Sequence, residues 1–261
     1  MTVNDDFGAS LERLADHEGR DAAALARLAG VAESEVAALL RGGTPDGVLL
    51  RRLAHPLGLD AADLFATAGV ALPEDLAPVD ESAGWGVPAL VRQALTLVPE
   101  QREALRAFAR SLPREERARP APPLPAYENY PSGPGGVLMR MARSRNLSWS
   151  ATAKTFLLLT GRYWSASTYG GVGRGSTPLT PELVADFSTV LGVPAGTLAA
   201  LTGVEPLSAA VEPGDGVRGV AELVGDVRRL TADRFRQVLD LAESMEGRAV
   251  PGAEPRPGSH G

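Results

Sequence analysis

The chain has 261 residues, 44% of them hydrophobic, enough for two small domains that each bury a core. Its 32 acidic and 26 basic side chains give a net charge of −6, which by itself argues weakly against a nucleic-acid partner. The lack of cysteine excludes a disulfide framework, a thiolate nucleophile and a cysteine-based zinc site. The apolar run at 155–160 is too short to span a bilayer. No charged leader with an apolar stretch and cleavage site is present, so a cytoplasmic protein is expected.

Taken in order, the chain reads as helices separated by glycine, with no strand-like alternation. Met1–Phe7 reads as disordered. Ala-rich helical patterns follow at 11–18, 21–28, 33–40, 47–57 and 61–68, closed by Gly19, Gly30, Gly42-Gly43, Gly58 and Gly69. A linker at 73–86 leads to a helical pair, 87–97 and 100–112. There Val87, Leu90, Val91 and Ala94 share one face, as do Leu105, Phe108 and Leu112. Residues 113–134 contain seven prolines and a mixed-charge patch at 114–119, which forbids a continuous helix. Tyr127 and Tyr130 are placed to dock this linker onto the second half of the chain. Further helical patterns run at 137–145, 148–159, 165–171, 180–191 and 195–201, then a second pair at 220–230 and 232–245. The Pro- and Gly-rich 247–261 tail reads as disordered.

The second half repeats the first. Gly86, Val87, Leu90, Val91, Leu97, Ala109 and Ser111 recur 133 residues later as Gly219, Val220, Leu223, Val224, Leu230, Ala242 and Ser244. Arg41-Gly42-Gly43-Thr44-Pro45 meets Arg174-Gly175-Ser176-Thr177-Pro178 in the same step. With a one-residue shift, Leu57-Gly58-Leu59 meets Leu191-Gly192-Val193. This period is the size of a domain, not of a solenoid repeat. The copies differ in charge. Residues 5–70 hold eleven acidic side chains and six arginines, whereas residues 131–204 hold only Glu182 and Asp186 against six basic residues. Lys154 is the sole lysine beside twenty-five arginines, a bias of the kind a GC-rich, actinobacterial coding sequence produces.

Five short helices with a small-residue turn between the second and third form the pattern of a helix-turn-helix module. Both copies resemble the Cro and lambda-repressor family, also called xenobiotic-response-element-type regulators. In the first copy the resemblance rests on residues 25–31, 33–40, Arg41-Gly42, Pro45 and Leu57-Gly58-Leu59. In the second it rests on Leu147-Ser148, Ala153-Lys154, Arg174-Gly175, Pro178 and residues 183–193. The expected architecture is all-α. A first, acidic helix-turn-helix domain covers 9–72 and is followed by a helical pair (86–112) and a Pro-rich linker (113–136). A second, basic domain at 137–205 is followed by its own pair (219–246) and the tail.

The resemblance implies that the second helix of each unit lies across a DNA backbone and that the third enters the major groove. In the basic unit Ser148 and Trp149 would open the second helix, with Trp164 in the place of Val31. Ser165, Ala166, Ser167, Thr168 and Gly171 would face the groove, while Tyr169 and Val172 pack inward. Arg174, Ser176 and Thr177 would come next as phosphate contacts, with Arg143, Arg145 and Arg162 adding positive charge. About six extra residues near 156–161 mean either a longer turn or another turn of the second helix. The acidic unit would present Glu33, Ser34 and Glu35 to the groove, which suits dimerisation or partner contact better than DNA.

Other motifs point nowhere sharper. Residues 170–175 are glycine-rich, yet no Lys-Ser/Thr pair comes after them, so a phosphate-cradling loop is not expected. His17 and His55 are isolated, Glu182 and Asp186 read as solvent-facing, and no catalytic, metal or cofactor constellation stands out. Double-stranded DNA is the expected partner, with residues 87–112 and 220–245 as surfaces for a homodimer or protein partner. The alternative is a protein-interaction adaptor that uses both modules as docking surfaces.

Overall fold

A computed structural model describes residues 3–115, 117, 124–205 and 214–246. The helices are α1 (Val3–His17), α2 (Ala22–Ala29), α3 (Glu33–Leu40), α4 (Gly47–Ala54), α5 (Ala61–Ala68), α6 (Val87–Thr96) and α7 (Pro99–Ser111). The second half supplies α8 (Pro134–Ser144), α9 (Trp149–Thr160), α10 (Ala166–Arg174), α11 (Pro181–Leu191), α12 (Ala195–Thr202), α13 (Asp215–Val227) and α14 (Ala232–Glu246). Short 3-10 turns lie at His55–Leu57, Glu81–Gly86 and Ala126–Glu128. The all-helical reading holds: no strand occurs among the described residues, and no helix there is long and apolar enough to cross a membrane. Part of the charged-and-proline run (116 and 118–123) and the 247–261 tail lie outside the described residues.

Short helices need their free terminal groups satisfied, and the sequence supplies partners. Asp21, Asp46, Asp60, Ser148, Ser165 and Thr180 each accept a hydrogen bond from a first-turn amide of the helix they precede. Such a cap is worth about 1 kcal/mol. One boundary differs from expectation. Helix α1 starts at Val3, because Phe7 is buried in the core and anchors a turn that composition alone assigns to disorder. Another correction concerns the linker, whose residues 134–136 form the first turn of α8.

Helices α1–α5 and α8–α12 correspond in order. Val36 and Leu39 of α3 are buried, as are Tyr169 and Val172 at the matching positions of α10. The structure also locates the six extra residues. Helix α9 has 12 residues where α2 has 8, and the connection to the next helix is two residues longer.

The two sets pack on each other in a reciprocal way: α1 lies against α12, and α5 against α8. The reciprocity reaches single bonds. Arg13 on α1 donates from Nε to the Ala200 carbonyl at 2.8 Å, and Arg140 on α8 donates from Nε to the Ala66 carbonyl at 2.7 Å. This is the arrangement of an isologous dimer interface, built within one chain. The helical pairs continue it, since α7 packs on α13 while α14 packs on α6. Val87, Leu90, Val91 and Ala94 are buried there together with Val220, Leu223, Val224 and Val227. The apolar stripes that suggested self-association through 87–112 and 220–245 are therefore covered by each other. The four-helix layer rests on the second set, through α6 on α9 and α13 on α11.

Polar links fix the joints. Arg145, just beyond α8, forks onto Asp63 of α5, with Nη1 to Oδ1 at 2.6 Å and Nη2 to Oδ2 at 2.9 Å. It also donates to the carbonyls of Leu191 (2.7 Å) and Met141 (3.1 Å). Both partners are buried, at 5% and 1% exposure. Asp80 accepts from the amides of Ser82 at 2.9 Å and Ala232 at 2.8 Å, so one carboxylate caps the 81–86 turn and the start of α14. Its carbonyl accepts from the Asn146 side chain at 2.8 Å.

Two outcomes are expected. Removing one member of the buried pair, as in Asp63→Asn or Arg145→Met, should cost about 3–5 kcal/mol in urea unfolding, and an apolar replacement of both should recover most of it. Equal losses in the single and double variants would contradict this. Asp80 is the second case. Burial pushes its carboxyl up, but hydrogen bonds from the Ser82 hydroxyl and the Ala232 and Ser82 amides outweigh this and hold it below the usual aspartate value. Its contribution is therefore present above about pH 4 and lost as pH falls through the lowered value. Asp80→Ala should cost about 1–2 kcal/mol at neutral pH, and the gap from the parent should close in acid.

Candidate nucleic-acid interface

The surface around α9 and α10 is set by what those helices bury. Phe156 of α9, Tyr169 of α10 and Phe187 of α11 form an edge-to-face cluster with centroids 4.8 Å, 4.8 Å and 6.2 Å apart. Tyr169 is fully buried, and its hydroxyl is pushed above the usual tyrosine value by burial first and by Asp186 second. With Tyr169 and Val172 inward, the start of α10 faces outward. Ser165 caps it, accepting from the Thr168 amide at 3.3 Å, and its hydroxyl lies 2.8 Å from that of Ser167 and 2.9 Å from that of Thr168.

The expected site residues divide into three groups. Arg162, Ser165, Ser167, Arg174 and Ser176 are exposed, with Ala166, Thr168 and Thr177 half-buried beside them. Arg162 reaches Asp186 at 3.7 Å, and Arg174 lies over the Trp149 ring at 5.3 Å. Ser148 is half-buried as the cap of α9. Trp149, also half-buried, is held by the linker: its indole N–H donates to the Tyr130 hydroxyl, and Tyr127 meets it edge-on at 5.1 Å. Gly170 gives the ring room, since a methyl there would fall 2.4 Å from it. The tyrosines of the linker thus dock it onto this unit as expected.

Four expectations are corrected. Arg145 supplies no surface charge, being buried on Asp63. Arg143 is half-buried between two carboxylates, Glu128 and Glu81, the latter at 3.0 Å. Gly171 is buried against Thr177 and faces no groove. Asp186 is 4% exposed rather than solvent-facing, and burial raises its carboxyl above the usual range against the pull of Arg162 and the Trp164 indole. In the other direction, Tyr163 in the connection before α10 is 67% exposed, and Lys154 on α9 is exposed. Tyr163 carried no signal beyond its aromatic ring, and Lys154 only that it is the sole lysine.

The matching surface of the first set is different. Glu33, Ser34 and Glu35 are exposed at the start of α3, and Glu35 accepts from the Ala32 amide at 2.9 Å. That carboxylate therefore works as a helix cap. Arg27 and Arg41 are exposed nearby.

The α10 surface thus offers hydroxyls and two arginines: Arg162 sits in the field of Asp186 and Glu182, while Arg174 lies over Trp149 with no carboxylate partner among the described residues. Comparison of the chain with protein-family models, with curated proteins and with solved structures returns no match.

Proposed function

We propose that the protein is a DNA-binding transcriptional regulator of the Cro and lambda-repressor kind, reading duplex DNA with α10 alone. One observation carries this reading: Ser165, Ser167, Arg162 and Arg174 are exposed together at α10 while Tyr169 and Val172 hold its opposite face in the core. Hydroxyls at the start of a groove helix can meet base edges, Ala166 can meet a thymine methyl, and arginines beside them neutralise phosphate. The acidic start of α3 repels a phosphate backbone, so the first set serves as a scaffold. Its reciprocal packing on the second set stands in for the partner that a dimeric regulator recruits, and the site read is a single, non-palindromic element.

The adaptor reading is favoured by one fact, that Arg143 and Arg145 are both committed to carboxylates inside the fold. Those two residues are therefore unsuitable for testing DNA contact, because Arg145→Glu would set a carboxylate against Asp63.

The test is fluorescence anisotropy with a labelled duplex over a range of salt. The Arg162→Glu/Arg174→Glu protein should bind at least about tenfold more weakly, and its log–log salt slope should fall by about 2. Arg27→Glu/Arg41→Glu, at the first set, should change neither. Equal affinity of all three folded proteins would overturn the reading, and no binding by the parent would favour the adaptor.

A further inference from the structure

Between the two sets lies a cavity of about 610 Å³, within the range of small-molecule sites. Its walls come from the end of α5 and the segment after it (Val70, Leu72), from Trp85, from the linker (Tyr127) and from α8 (Arg140). Two of these aromatics are poorly covered: Trp85 is 79% exposed and Tyr127 54%. Aromatic rings left open on a concave surface are available for stacking on a flat ligand.

The charges lining the cavity are unequal, with three arginines against two glutamates. Arg143 engages both glutamates, Glu81 and Glu128. Arg140 and Arg117 bond to backbone carbonyls, Arg140 to Ala66 and more distantly to Pro131, and Arg117 to Pro78. Among the described residues neither has a carboxylate partner. Arg140 is half-buried, and loss of hydration there disfavours its charge. An unpaired, partly desolvated guanidinium beside open aromatic rings is a recognition pattern for a carboxylate carried on a flat apolar body.

We propose that this cavity binds a planar aromatic carboxylate, its anion on Arg140 and its rings between Trp85 and Tyr127. The site does not depend on the DNA reading, yet it adjoins the α10 surface. Tyr130, another of its lining residues, accepts the Trp149 indole hydrogen bond and packs so closely on α10 that a methyl on Gly173 would fall 2.4 Å from its ring. An occupant therefore touches the same aromatic group that supports Arg174.

The test uses pyrenebutyrate as probe, followed by its fluorescence, with pyrenebutanol as its uncharged counterpart. Saturable binding of the acid is expected, with the alcohol at least about tenfold weaker. Arg140→Met should weaken the acid by a similar factor and Trp85→Ala by about fivefold. Arg13→Met is the control, because it loses the equivalent carbonyl bond at α12 and lies outside the cavity; its affinity should equal that of the parent, and circular dichroism should show each variant folded. Absence of saturable binding, equal affinity for acid and alcohol, unchanged affinity in Arg140→Met or Trp85→Ala, or an equal loss in Arg13→Met would each overturn the proposal.

Discussion

Arg145 and Asp63 are two full charges taken out of water at the joint between the halves of the chain. Each makes the other tolerable, because a guanidinium fork meets both carboxylate oxygens and the remaining Nη hydrogens reach the Leu191 and Met141 carbonyls, with Nε alone left unpartnered among the described residues. The pair connects the end of α8, the end of α11 and the first turn of α5 at one point. Small helices of eight residues, such as α5 and α12, have little stability alone. Their placement depends on this joint and on the paired Arg13 and Arg140 contacts around it.

An internal duplication explains why the joint is reciprocal. The same first and fifth helices meet twice, with the roles of the copies exchanged, and the helical pairs interleave beyond them. Once the partner surface is fused into the chain, the exposed starts of α3 and α10 are free to diverge. In the first set the outward face of α3 became acidic and one of its carboxylates became a cap. In the second, the start of α10 carries hydroxyls, Arg174 closes its last turn, and Arg162 just before it faces the buried Asp186.

Much of the helix order is legible in the sequence because glycine punctuation and cap residues are local signals. The inward direction of Tyr169 and Val172 is legible too, since the 133-residue step lays them on Val36 and Leu39. What local pattern cannot carry is pairing across distance. Arg145 looks like any surface arginine until Asp63, 82 positions away, comes to meet it. Arg143 is likewise consumed by Glu81 and Glu128 from segments that composition marks only as linkers. Phe7 reads as part of a disordered leader because its burial depends on tertiary contact. The cavity at Arg140 is invisible for the same reason, since its walls belong to both halves and meet only in the fold.

On the proposed reading, the few arginines at α10 supply affinity through phosphate, and any sequence preference comes from Ser165, Ala166 and Ser167 at base edges. The measurement that tests this most directly is selection of sheared genomic DNA by the purified full-length protein at near-physiological salt, followed by sequencing. The account predicts a recurrent, non-palindromic element, enriched by the parent protein and lost with Arg162→Glu/Arg174→Glu. No recurrent element from a protein shown to be folded would contradict it.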